Sequence, residues 1–239
     1  MENVGGTKIE FEYDNQWVLP TFLQKDVSNC LLQWNIDTSL MIKRFKYRGS
    51  SGIPQENIIS DFLVDPAVLS CLSISGKPIT DKLLINSTEL KTEVFSIEFF
   101  DRLVDANIVS PSGSIRGCAD EIFNGLTVSD ELREMLVNPD SEKSDIFSQE
   151  EKKELIYCLF KLFCTGGALC QSDQVITRYL DVTKRVYKDL LTVYKDSESN
   201  IQVATKAVDI ISVSGLTLFS TSTDGEPNPY NRFILLIDR

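Results

Sequence analysis

The feature that most limits how this chain can fold is a ten-residue segment, Leu155-Ile156-Tyr157-Cys158-Leu159-Phe160-Lys161-Leu162-Phe163-Cys164, in which only Lys161 is not apolar. A helix through it is greasy on every side rather than along one stripe, so it belongs in an interior. Burying its seven large side chains contributes on the order of 10–20 kcal/mol gross, whereas leaving them in water invites aggregation. Its boundaries are written beside it. Ser148-Gln149-Glu150-Glu151 reads as a capping box that starts the helix, Ser148 and Glu151 satisfying each other's backbone amides. Thr165-Gly166-Gly167 ends it, with Gly166 suited to the left-handed position after the last turn. A chain of 239 residues, 42% apolar and 25% charged, has enough material to build a core around such a helix.

The remaining patterns predict strands toward both ends. Lys8–Tyr13 alternates, with Ile9, Phe11 and Tyr13 on one face and Lys8, Glu10 and Glu12 on the other. A solvated strand face accounts for the Glu10/Glu12 pair better than a carboxylate site does. Asp26–Trp34 and Glu56–Leu63 read as helices, the second ending before Asp65-Pro66 because the residue before proline disfavours helix. Leu40–Tyr47, Lys82–Ile85 and Glu93–Ile97 read as strands, and Ser96–Val104 reads equally well as a helix. Arg48–Pro54 is a loop, and Ser129 caps a helix through Asp130–Leu136. Gln174–Lys184 is a further helix. Val186–Tyr194 and Ile201–Val213 read as strands around the polar turn Asp196–Asn200, and Phe233–Ile237 as the last strand after a loop over Gly215–Tyr230. The expected class is α+β, with antiparallel strands from both chain ends packed with a helical middle and second half, in a single domain over 1–239. Ser110–Ser114 marks where a sub-boundary, near 110–118, would fall.

Several function classes fall away. There is no histidine, so no Ser-His-Asp or Cys-His catalysis and no histidine zinc site. A net charge of −11 argues against a general nucleic-acid surface. No stretch of 18 apolar residues exists, and Met1–Gly6 has neither a basic start nor an apolar run, so neither a membrane partner nor a secretory signal is expected. In that setting the six cysteines, Cys30, Cys71, Cys118, Cys158, Cys164 and Cys170, are expected as free thiols in a reducing compartment. By the same reasoning the sequon Asn86-Ser87-Thr88 is accidental.

Candidate chemistry is thin. Cys158, Cys164 and Cys170 lack metal-ligand spacing, and Gly166-Gly167-Ala168 lacks the pattern of a phosphate loop. No catalytic, cofactor or metal residue is assigned, and no cofactor is expected. Charge is more uneven. Between Ala119 and Glu151 ten acids face only Arg133 and Lys143, a balance of −8. This is either a solvated face or an acidic surface for a basic partner, with Glu131, Glu134 and Glu142 as its candidate residues.

The segment Leu159-Phe160-Lys161-Leu162-Phe163-Cys164-Thr165-Gly166-Gly167-Ala168-Leu169-Cys170-Gln171 resembles the cilia- and flagella-associated protein 300 family. Phe99–Leu103, Ser129–Arg133, Asp140–Lys143, Ile146–Gln149 and Tyr187–Leu190 agree with it in order, so the similarity is strong over about Ser96–Val193, with scattered matches such as Leu32-Gln33-Trp34 before that. The resemblance implies a non-enzymatic protein of cytoplasm and motile cilium. Its expected role is assembly or transport of outer and inner axonemal dynein arms, as an adaptor contacting cytoplasmic dynein-assembly factors and the intraflagellar transport machinery. It carries over no catalytic residues. By the same resemblance, relatives continue past Arg239 into a further strand, which leaves the C-terminal sheet open, and the absence of histidine implies that no family role depends on imidazole. A structural axonemal component and a cysteine-dependent enzyme or redox protein are the competing readings.

Overall fold

The computed structural model describes residues 9–48, 53–79, 83–167, 169–219 and 230–238. Lys8, Lys82, the middle of the Arg48–Pro54 loop, most of the Gly215–Tyr230 loop and Met1–Gly6 lie outside them. In chain order the elements are β1 (Glu10–Tyr13), α1 (Lys25–Gln33), β2 (Phe45–Arg48), α2 (Gln55–Val64), α3 (Pro66–Cys71), β3 (Ser75–Gly76) and β4 (Ile85–Leu90). Then come α4 (Arg102–Asp105), β5 (Gly117–Phe123), β6 (Leu126–Asp130), α5 (Glu131–Val137), α6 (Leu155–Thr165) and α7 (Ile176–Leu190). The chain ends with β7 (Val193–Lys195), β8 (Ile201–Val203), β9 (Lys206–Val213), β10 (Leu216–Thr217) and β11 (Phe233–Ile237). The fold is α+β, built on small sheets. Strands β1–β2, β3–β10, β5–β6 and β7–β8 pair two by two, and a three-stranded sheet has the order β11-β9-β4.

The chain divides into two compact units. One comprises Met1–Val18, Ile42–Thr88 and Asp209–Ile234. In it β1 and β2 pair antiparallel with Phe11 opposite Tyr47 and Tyr13 opposite Phe45. Directly opposed residues share a face, so four aromatic rings line one side, and Phe62 of α2 meets Phe11 and Phe45 edge-on at 5.2 Å. The other side carries Glu10, Glu12, Lys46 and Arg48 in solvent, with Arg48 3.7 Å from Glu12. Asp65 ends α2 and caps α3, its Oδ1 accepting the Ala67 and Val68 amides at 2.8 and 3.1 Å.

The other unit comprises Leu19–Met41, Glu89–Val208 and Leu235–Arg239 and is organised around α6. Nine of its eleven residues are buried, Phe160 and Phe163 completely. Phe100 packs on Phe160 at 4.2 Å between ring centres, and Trp34 of the α1 exit lies 5.9 Å from Phe163.

Several elements depart from their local sequence preference. The capping box forms, Ser148 N–H to Glu151 at 2.8 Å and Glu151 N–H to Ser148 at 3.2 Å. It closes a 3₁₀ turn at Glu151–Lys153, however, and α6 begins only at Leu155. Asp130, the last residue of β6, caps α5 in place of Ser129, its Oδ1 accepting the Arg133 N–H at 2.8 Å. Val186 is helical: α7 runs on to Leu190 because Val182, Val186, Tyr179 and Tyr187 face the core at helical spacing. Glu93–Ile97 is not a strand, since the Glu93 and Val94 amides turn toward the Glu154 carboxylate. The β5–β6 hairpin occupies residues to which the sequence patterns assign no strand. Its turn is Asn124-Gly125, φ 48° and 81°, the residue pair that favours two-residue hairpins.

Candidate functional site

The acidic run divides into acids used to build the fold and acids left outside. Asp130 holds Arg133 at 2.7 Å, and Glu131 pairs with Lys143. Glu150 spans Lys91 at 3.0 Å and Lys153 at 2.6 Å, while Glu151 meets Arg102 at 2.8 Å. Lys91, Arg102 and Lys153 come from outside the run, which a local charge count cannot register. Asp120, Glu121, Asp140, Glu142 and Asp145 are exposed, and Glu134 is half-buried. The β5–β6 hairpin lies against α5 and brings some of these acids together. The Cys118 thiol is pushed up first by burial, then by the carboxylates of Glu134, Asp130, Glu131 and Glu121. Of the sequence candidates, Glu131 and Glu134 therefore share one neighbourhood, with Glu131 already paired, and Glu142 stands exposed beside Lys143. Ile122, at the hairpin tip, is 75% exposed.

The glycine pair does more than stop α6. Gly166 has φ 64° and ψ −168°, a conformation outside the left-handed helical region and open essentially to glycine alone. Gly167 donates its N–H to the Trp34 carbonyl at 2.8 Å, and Gln171 donates to the Gln33 carbonyl at 2.9 Å. A Cβ on Gly167 would sit 2.0 Å from the Asn35 carbonyl oxygen. The backbone after α6 is therefore pressed against the backbone after α1, and no side chain fits between them.

Polar hubs flank this joint. The Asp173 carboxylate, 8% exposed, accepts from Trp34 Nε1 at 2.8 Å, Gln33 Nε2 at 3.3 Å and Arg178 at 2.7 Å. Trp34 is buried and stacks on Tyr179 at 4.6 Å, and the Tyr179 hydroxyl accepts the Asp173 N–H at 2.8 Å. Arg133, 5% exposed, donates to Asp130, to Ser172 Oγ at 2.9 Å and to Cys170 Sγ at 3.6 Å. Burial works against its charge, and the Asp130 carboxylate overrides that and holds its pKa up.

Four thiols, Cys30, Cys118, Cys164 and Cys170, are pushed up in pKa with burial as the leading cause, which disfavours the nucleophilic thiolate. Glu154 is also buried and pushed up, desolvation outweighing the two backbone amides it accepts. Its folded state holds the proton to higher pH than the unfolded chain does. Stability therefore falls as pH rises from about 4.5 through the folded pKa. Glu150 and Glu151, both lowered, act in the opposite sense and lose their contribution as pH falls. Glu154→Gln keeps an acceptor for Glu93 and Val94 and removes the charge. The variant is expected to gain stability over the parent as pH rises from 4.5 to 7.5, read as the difference in urea midpoints, in which the unchanged acids cancel.

The sequence pattern characteristic of the family described as "Cilia- and flagella-associated protein 300" matches residues 8–239. A protein of that name from Chlamydomonas reinhardtii is 27% identical over 202 residues, covering 79% of this chain and 77% of the relative. A protein of the same name from Paramecium tetraurelia is 35% identical over 122 residues, covering 51% of this chain and 48% of the relative. No solved structure matches.

Proposed function

The chain belongs to the cilia- and flagella-associated protein 300 family, and from that premise we propose that it acts in assembling or transporting outer and inner axonemal dynein arms. It does so as a non-enzymatic adaptor of cytoplasm and motile cilium, through contacts with dynein-assembly factors and the intraflagellar transport machinery. The observation that carries this reading is the family match over nearly the whole chain. Burial that raises the Cys30, Cys118, Cys164 and Cys170 thiols speaks against a nucleophilic cysteine at those four positions. Exposed acids beside the protruding Ile122 suit an adaptor, since charge steers encounter and an apolar side chain anchors it.

The deciding experiment is deletion in a ciliated cell followed by imaging of axoneme cross-sections. Missing outer and inner arms are expected, with the protein mainly in the detergent-soluble fraction. Intact arms with normal beating would remove the reading, and retention in salt-resistant axonemes would favour a structural component. For the acidic surface, Glu134→Lys and Glu142→Lys are the informative reversals, because Glu131→Lys also breaks the pair with Lys143. Co-precipitation with dynein-assembly factors is expected to weaken with the reversals and with salt; indifference to both would dismiss Glu134 and Glu142 as the contact.

A further inference from the structure

Cys71 is the last residue of α3, at a helix end that leaves carbonyls without an intrahelical donor. Lys43, on the approach to β2, supplies one: its Nζ donates to the Cys71 carbonyl. The same Nζ lies 3.6 Å from the Cys71 Sγ and 5.5 Å from the centre of the Tyr13 ring, which it faces. A carbonyl and an aromatic face therefore hold one amine against one sulfur. All three residues belong to the unit formed by Met1–Val18, Ile42–Thr88 and Asp209–Ile234. Lys43 and Cys71 are both partly exposed, so a small oxidant reaches them. The other thiols are less well placed. Cys30, Cys158 and Cys164 are buried, and burial pushes up the thiols of Cys118 and Cys170. Cys170 does meet a basic side chain, but that is the guanidinium of Arg133, which stays charged and is no nucleophile.

We propose that Lys43 and Cys71 are a modification site, joined by a reversible S–N bond when a peroxide oxidises the thiol. In the first step the Cys71 thiol takes one oxygen atom from the peroxide and becomes a sulfenic acid. Sulfur loses an electron pair, the O–O bond breaks, and the peroxide leaves as water. In the second step the neutral Lys43 amine attacks Sγ. The S–N bond forms, the S–O bond breaks, and the hydroxyl group departs with a proton from nitrogen as a second water. The product is a sulfenamide, the bond that a sulfenic acid also makes with a backbone nitrogen. A dithiol reverses it, giving back thiol and amine and itself becoming a disulfide. The bridge spares Cys71 the irreversible rungs of oxidation and ties the end of α3 to the segment entering β2, 28 positions back along the chain. The inference goes beyond the dynein-arm reading and does not rest on it.

The test treats the reduced full chain with hydrogen peroxide, blocks remaining thiols by alkylation, and digests it without reductant for tandem mass spectrometry. A peptide holding Lys43 is expected joined to one holding Cys71, at their summed mass less two hydrogen atoms, and dithiothreitol should separate them. Cys71→Ser should lose the joined peptide. Lys43→Arg keeps the charge and a donor for the Cys71 carbonyl but has no amine to attack, so it too should lose the joined peptide. Its Cys71 should instead run on to sulfinic acid in larger yield than in the parent. The urea midpoint should rise on oxidation in the parent, because the bridge closes a loop in the unfolded chain, and should not rise in either variant. Both positions are partly exposed, and circular dichroism of the reduced variants verifies that they fold. Absence of the joined peptide, Cys71 joined instead to another lysine or to a second cysteine, or a bridge heavier by one oxygen atom would each overturn the proposal. So would a joined peptide that survives Lys43→Arg.

Discussion

Gly167→Ala is expected to destabilise the protein by at least about 3 kcal/mol. The atom that a methyl group would strike, the Asn35 carbonyl oxygen at 2.0 Å, belongs to backbone and cannot rotate away. Relief requires the two chain segments to part, and that breaks the Gly167-to-Trp34 and Gln171-to-Gln33 hydrogen bonds as well. Trp34, which those bonds hold against Phe163 and Tyr179, would move with them. Gly125→Ala separates this effect from ordinary glycine strain. Gly125 has φ 81° in the hairpin turn but nothing within 4 Å of its would-be Cβ, so it should lose only about 1–2 kcal/mol. Urea denaturation of both variants measures the contrast. Equal losses would mean that the close approach after α6 does not constrain the fold.

Arg133→Ala is expected to cost about 3–5 kcal/mol, because it removes one partner of a buried ion pair and leaves Asp130 uncompensated. Ser172 Oγ and Ser129 Oγ lose donors at the same time. The double variant Arg133→Met with Asp130→Asn removes both charges, keeps most of the side-chain volume and leaves an oxygen to cap α5. It should recover a large part of the loss, as buried ion pairs do when replaced together. Thermal or urea unfolding of the single and double variants tests this. A double variant no more stable than Arg133→Ala would place the effect in packing rather than charge.

These two effects differ in how far they could be read in advance. Gly166 and Gly167 stood out as the end of an apolar helix, and the helix does end there. That Gly167 also lies against Asn35 had no local sign, since a glycine that admits another backbone looks like a glycine that ends a helix. Arg133 looked like one of two cations diluting an acidic face; it is instead buried and spent on Asp130. Of the acidic candidates, Glu142 stayed in solvent, whereas Glu131 went to a lysine twelve residues along the chain. Val186–Leu190 shows the same limit in secondary structure. Its residues suit a strand, yet the helix continues through them because Val186 and Tyr187 reach the core only at helical spacing.

What the chain settled alone was local: α6 as interior, the capping box, the Asp65-Pro66 boundary, the β7–β8 hairpin and the closing strand Phe233–Ile237. Each is decided by groups a few residues apart, whose sterics and hydrogen bonds leave little choice. Tertiary structure alone decided that Trp34 reports to Asp173 across 139 residues, that Glu154 takes the Glu93 amide across 61, and that Arg102 answers Glu151 across 49. A donor, an acid or a glycine states what kind of partner it needs and never where along the chain that partner lies. Only packing α6 against its neighbours brings those groups within reach.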